Sequence, residues 1–241
     1  MILKRDDAFA VVCELKTPKE DGSYVVGTGI FVTSPAGNDN VFLWIVTANH
    51  VAKETNEKTI VVVSTKDGVA QLLPLKLFGL ISSWKHHPFA DISAFFIQPT
   101  TSNIQFLNGR KFLPMDHFNL KQESVSRDFE LTCFGFPKGL GTEGLFSPFT
   151  FRSFASSGFF RYHRFDTNQE CIFFCLENPS VGGYSGGPIF DLGYSTNGVS
   201  EVKKEKTLCH GIMHGTMIDD TGGKIAMVTP AFYLKDIIGG V

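Results

Sequence analysis

Short apolar runs rich in Val, Ile and Phe recur along this chain, each broken by Gly, Pro, Asn, Asp or Ser, and this punctuation restricts the fold more than any other feature. Candidate strands are Ala8–Leu15, Tyr24–Thr33, Val41–Thr47, Thr59–Ser64, Gln71–Phe78 and Asp91–Ile97, then Glu130–Phe136, Pro148–Ala155, Phe159–Phe165, Cys171–Leu176, Thr207–His214 and Lys224–Thr229. About twelve strands at turn spacing predict an all-β sandwich or barrel, because a parallel sheet needs helical crossovers between its strands. One helix is expected, at about residues 230–238. Thr229 can cap it, Pro230 suits its first position, Phe232, Leu234 and Ile237 give an apolar face, and Gly239-Gly240 stop it. A further helical turn is expected after His50. Six strands, a polar connector over 116–127 and six more strands suit two small barrels in series, residues 1–115 and 128–241.

The 241 residues are 43% hydrophobic and 19% charged, which supplies a packed core and excludes a disordered chain. A formal charge of −2 with no basic stripe argues against a nucleic-acid partner. No apolar run reaches the ~18 residues of a membrane helix, and Met1 to Asp7 lack a secretory apolar segment. A soluble, cytoplasmic protein is the expectation. The five cysteines, Cys13, Cys133, Cys171, Cys175 and Cys209, form no CxxC pair. Cys171 and Cys175 are four strand residues apart, about 13 Å, beyond the about 7 Å that a disulfide spans. Both read as small core residues.

Three segments carry chemistry. Thr47-Ala48-Asn49-His50-Val51 ends the most apolar strand, where an imidazole is held rigidly yet reaches the surface, as a general base must be. In Ala90-Asp91-Ile92 an acid opens an apolar strand, where a half-buried carboxylate needs a donor such as an imidazole N–H. Gly182-Gly183-Tyr184-Ser185-Gly186-Gly187-Pro188 can turn sharply and aim successive N–H groups at an anion, with a serine at its apex. Alone, each has a plain alternative: a loop histidine, a turn aspartate, a Gly-rich hairpin.

Together and in this order, Thr-Ala-x-His-Val, Asp-Ile-x-Ala and Gly-x-Ser-Gly-Gly-Pro resemble the trypsin-like (chymotrypsin-fold) serine proteases. The spacings, 41 residues from His50 to Asp91 and 94 from Asp91 to Ser185, are similar to those of that family. Gly27-Thr28-Gly29-Ile30-Phe31-Val32 resembles the strand before the His segment in its bacterial HtrA-like branch, here without a PDZ domain. The resemblance implies two six-stranded antiparallel Greek-key barrels, with His50 and Asp91 on the first and Ser185 on the second. It implies Ser185 as nucleophile, His50 as general base, Asp91 as its orienting acid, and the amides of Gly183 and Ser185 as the oxyanion hole. Peptides or proteins are the implied substrates, with no metal or organic cofactor and a regulatory protein partner as an option. Tyr184 stands where digestive enzymes carry the Asp that pairs with a freed amino terminus, so activation by that ion pair is not expected. Asn49 replaces the commoner Ala or Gly, either harmlessly or by shifting the His50 rotamer.

The resemblance places the specificity pocket between Cys209–Thr216 and Ile225–Thr229, with Met213, His214, Gly215, Ala226 and Val228 as candidate lining. An apolar pocket of Met213, Ala226 and Val228 is favoured. A one-residue slip instead puts His214 inside, which suits cleavage after Glu or Gln. Apart from Glu177 no acid stands in the segment just before the nucleophile, which argues against cleavage after Lys or Arg. His86-His87-Pro88 reads as an exposed loop, His210 and His214 lie too far apart along one strand to share a zinc, and His117 and His163 carry no motif. Two functions fit: an active serine endopeptidase, or a protease-fold binding module that is inactive until a ligand or partner arrives.

Overall fold

The computed structural model describes residues 2–196, 201–203 and 206–238, with backbone alone for 194–196 and 201–203. Strands β1 (Val12–Pro18), β2 (Tyr24–Gly37), β3 (Asn40–Thr47), β4 (Ile60–Ser64), β5 (Ala70–Pro74), β6 (Trp84–His86), β7 (Ser93–Ile97) and β8 (Leu113–Pro114) make one sheet. Its order is β5-β4-β1-β2-β3-β7-β6, antiparallel throughout, with β8 added in parallel on β2. Strands β9 (Leu131–Gly135), β10 (Phe149–Ser153), β11 (Phe160–His163), β12 (Glu170–Leu176), β13 (Pro188–Asp191), β16 (Leu208–Ile218) and β17 (Lys224–Pro230) make a second. That sheet is ordered β10-β9-β13-β16-β17-β12-β11, and β14 (Tyr194–Thr196) pairs with β15 (Glu201–Lys203). Among the described residues the protein is thus mostly β, in two main, largely antiparallel sheets of eight and seven strands rather than six and six.

Helices are short: α1 (Arg5–Ala8), α2 (Asn49–Glu54), α3 (Ile104–Asn108) and α4 (Lys235–Ile238). The expected terminal helix begins as a 3-10 turn, Ala231–Leu234, before α4, and its Gly239-Gly240 stop lies outside the described residues. The expected turn after His50 is α2. The predicted strand Gln71–Phe78 ends at Pro74, followed by a 3-10 turn, Leu75–Leu77. No helix among the described residues is long and apolar enough to cross a membrane.

Alternating side chains divide the interior into two cores. The larger joins Ile30, Phe31, Ile45 and Phe95 of the first sheet to Phe134, Phe173 and Phe190 of the second, so apolar packing crosses between the sheets. The smaller lies within the second sheet, around Leu131, Phe174, Ile189, Met213, Ala226 and Val228. Phe dominates the largest fully buried side chains, and each contributes about 2–3 kcal/mol by leaving water. Among those side chains is one charge, Arg164.

Candidate active site

Register brings the first two candidates together. β3 and β7 are antiparallel with Thr47 opposite Ser93, so the residues just after β3 and just before β7 emerge at one sheet end. His50 stands in the first turn of α2 and Asp91 in the turn before β7. The His50 backbone N donates to Asp91 Oδ1 at 2.9 Å, and His50 Nδ1 donates to Oδ2 at 2.7 Å. A carboxylate only accepts, so Nδ1 carries a proton, and the neutral ring then bears its lone pair on Nε2, the tautomer a general base requires. Asn49 does not displace His50: it is buried and accepts from Ser93 Oγ at 3.1 Å.

Two further groups hold Asp91. His214 Nδ1 donates to Oδ2 at 2.5 Å, and Arg164 Nη2 donates to Oδ1 at 3.1 Å. Burial alone raises a carboxyl pKa, but the donors from His214 and His50 outweigh it, and Asp91 stays well below its ordinary 3.8. Arg164 lies in the turn between β11 and β12, where Asp166 binds its Nε at 2.8 Å and its Nη1 donates to Phe89 O at 3.0 Å. Phe165, beside it, is exposed and covers both imidazoles, with ring centroids 5.1 Å from His50 and 4.3 Å from His214.

Ser185 arrives from the second sheet, on the loop before β13. Thr28, in the middle of β2, grips that loop twice: its N donates to Ser185 O at 2.8 Å and its Oγ1 to Gly183 O at 2.8 Å. Val181–Tyr184 closes as a turn, Tyr184 N to Val181 O at 3.3 Å, with Gly183 at φ +103°, a type II geometry that needs glycine. A Cβ on Gly183 would also meet Phe136 O at 2.0 Å. Among the described residues no acceptor takes the amide of Gly183 or Ser185, so both remain available to an anion. The Ser185 hydroxyl donates to His214 O at 3.3 Å and not to His50; at that length the bond is weak and easily surrendered.

Tyr184 is buried against Phe151, ring centroids 5.1 Å apart, and over Gly135, where a Cβ would stand 2.5 Å from its ring. Burial pushes its phenol up to about 12. An apolar anchor thus occupies the place before Ser185.

Met213, Ala226 and Val228, expected to line an apolar pocket, are sealed in the smaller core at 1%, 0% and 0% exposure. His214 does not face a pocket for Glu or Gln through its imidazole; that ring is buried behind His50, between Phe165 and Phe173. A register shift in β16 between Met213 and Gly215 accounts for its direction. His214 and Gly215 instead border a recess of about 400 Å³ with Tyr162, Phe165, Ile218 and Met227. A second recess, of about 470 Å³, is bordered by Tyr24, Val26, Lys138, Gly182 and Gly183.

The histidine pair at 86 and 87 needs correction. His87 is buried, not an exposed loop residue: Nε2 meets Asp236 Oδ2 at 3.0 Å and Nδ1 accepts from Ala90 N at 2.8 Å. Ligand atoms of His50, Asp91 and His214 lie within 4.8 Å of one another, the spacing of a possible metal site. Here the two Nδ1 atoms approach one carboxylate oxygen at 2.7 and 2.5 Å, as hydrogen-bond donors do. Ligands on one zinc stand about 3.3 Å apart. Arg164 and Phe165 lie in no motif, and only their contacts reveal them; Thr28 lies in the Gly27–Val32 run, but its grip on the serine loop is visible only in the structure.

The architecture is that of the trypsin-like serine proteases. Similar solved structures include Rv3671c of M. tuberculosis, an inactive serine-to-alanine mutant, at TM-score 0.57 and 15% identity over 97% of this chain and 89% of that one. Human heparin binding protein matches at TM-score 0.56 and 13% identity, covering 100% and 94%. The HtrA-type protease AlgW, with a tripeptide, matches at TM-score 0.51 and 18% identity over 92% of this chain and 57% of that one. By sequence, no known family and no curated protein matches.

Proposed function

We propose that this protein is a serine endopeptidase. The observation that carries the reading is the two-point seating of His50 on Asp91, which turns Nε2 away from the acid, together with a serine loop that has two free amides. Ser185 Oγ attacks a peptide carbonyl while its proton passes to His50 Nε2. The amides of Gly183 and Ser185 stabilise the oxyanion, each such donor contributing about 3–4 kcal/mol at the transition state. His50 then protonates the departing amine, leaving an acyl-enzyme on Ser185 that water hydrolyses through the same base. The recesses bordered by His214 and Gly215 and by Gly182 and Gly183 offer room for an extended peptide, and the chemistry calls for no cofactor. Five free, buried cysteines agree with a reducing compartment such as the cytoplasm.

One observation favours a second reading, a protease-fold module that awaits a ligand: the Ser185 hydroxyl faces His214 O instead of His50. A fluorophosphonate probe separates the two. Labelling of the wild type, absent in Ser185→Ala, supports the peptidase; a folded wild type that stays unlabelled supports the module.

A further inference from the structure

The residue whose carbonyl Ser185 attacks has to send its side chain into the space beside the nucleophile. Two segments wall that space. One is Ser180 to Tyr184, the approach to Ser185. The other is β16 from Met213 to Thr216, held there because Met213 O accepts Gly186 N at 2.8 Å and His214 O accepts Ser185 Oγ at 3.3 Å.

A single side chain ties these walls together. Thr216 Oγ1 accepts from Ser180 N at 3.1 Å, donates to Ser180 O at 2.8 Å and lies 2.9 Å from Ser180 Oγ. At this point the two segments stand one hydrogen bond apart. The floor of the space is filled as well, since Met213, Ala226 and Val228 are packed with Tyr184. Strand register fixes that floor, Met213 opposite Val228 and Thr216 opposite Ala226. Opening it means unpairing β16 from β17, and a close-packed interior does not yield to added methylenes by turning a rotamer.

Resting on the peptidase reading above, we infer that the Thr216–Ser180 clasp restricts this site to peptides with a small side chain, Gly, Ala or Ser, at the residue whose carbonyl is attacked. Trimming Thr216 breaks the clasp and frees the volume of its methyl and hydroxyl, so bulkier side chains gain entry.

The test is a peptide library varied at that residue, with cleavage sites read by mass spectrometry. The wild type is expected to cut after Gly, Ala and Ser with kcat/KM about 100-fold above that for Leu, Phe, Lys or Glu. Thr216→Gly is expected to raise the ratio of cleavage after Leu and Phe to cleavage after Ala about tenfold. Glycine weakens a strand, so Thr216→Ala is measured beside it. Phosphonate esters bearing an Ala or a Phe side chain repeat the comparison on the wild type by labelling rate. Wild-type cleavage or labelling at Phe or Lys as fast as at Ala overturns the inference and leaves the peptidase standing. Unchanged preference in both folded variants also overturns it. A folded protein that neither cuts nor reacts with any phosphonate or fluorophosphonate overturns both.

Discussion

His214 Nδ1 lies 2.5 Å from Asp91 Oδ2, the oxygen that also takes His50 Nδ1 at 2.7 Å. One carboxylate oxygen therefore serves two imidazoles, while Oδ1 accepts the His50 backbone and Arg164. His214 Nε2 is buried without a hydrogen-bond partner, so a second proton on that ring would be stranded. His214 thus acts as a donor that fixes the acid, and on the peptidase reading His50 is the ring that exchanges protons with substrate.

This arrangement predicts a separation of activity from stability. His214→Ala removes a donor from Asp91 and empties the space between Phe165 and Phe173, with an expected loss of about 2–4 kcal/mol. Its kcat should fall about tenfold or more as Asp91 loosens its hold on His50. His214→Asn returns an N–H towards Oδ2 without refilling the ring's volume. Its kcat should recover most of the loss while its urea midpoint stays low. Equal kcat in the two variants would show that the ring merely fills space.

Arg164 is fully buried between Asp91 and Asp166. Removing one partner of a buried pair leaves uncompensated charge, so Arg164→Met should lose about 3–5 kcal/mol in urea unfolding. Part should return in Arg164→Met with Asp91→Asn. The same carboxyl sets an acid limb. Its native pKa is depressed below 3.8, so its contribution is complete above that value and fades as pH falls through the native pKa. Stability should therefore hold at pH 5 and decline below pH 3.8, more steeply in the wild type than in Asp91→Asn.

What the sequence discloses and what it hides divide along physical lines. The His50, Asp91 and Ser185 segments are legible because each joins a reactive residue to a local backbone demand, a strand end or a glycine turn. The strands they sit on are legible from alternation. β6 and β8 are too short for a period, and β13 starts inside the Gly-rich run that disguises it. Arg164 is illegible because nothing near it in sequence announces a carboxylate 73 residues away. His87 beside a proline suggests exposure, and only Asp236, 149 residues on, explains its burial. Long-range polar pairing leaves no periodic trace, whereas apolar packing does.

Thr28 links the first sheet to the oxyanion turn. Thr28→Val keeps the shape but leaves Gly183 O without its 2.8 Å donor, and Phe136 N, at 3.4 Å, holds it weakly. The expected cost is about 1–2 kcal/mol of stability. A turn free to rock should lower kcat about tenfold with KM nearly unchanged, because the oxyanion exists only in the transition state. A raised KM with kcat intact would argue that Thr28 positions substrate instead.

Glu14 offers a test of opposite sign to Asp91. It lies on β1 opposite Thr28, fully buried, with Oε2 taking Thr142 Oγ1 at 2.9 Å and Oε1 without a partner. Burial raises its pKa above the ordinary 4.5, although the Thr142 bond and Lys16 pull the other way. A carboxyl that holds its proton more tightly when folded contributes stability that is complete below 4.5 and lost as pH climbs through the native value. Above pH 4.5 the wild type must either hold that proton against the solution or bury a charge with one oxygen unsatisfied, a cost that Glu14→Gln avoids because the amide is neutral at every pH. The variant should unfold at higher urea than the wild type at pH 7, and the gap should close as pH approaches 4. A gap that stays constant from pH 7 to pH 4 would mean that shape or hydrogen bonding, and not ionisation, separates the two side chains.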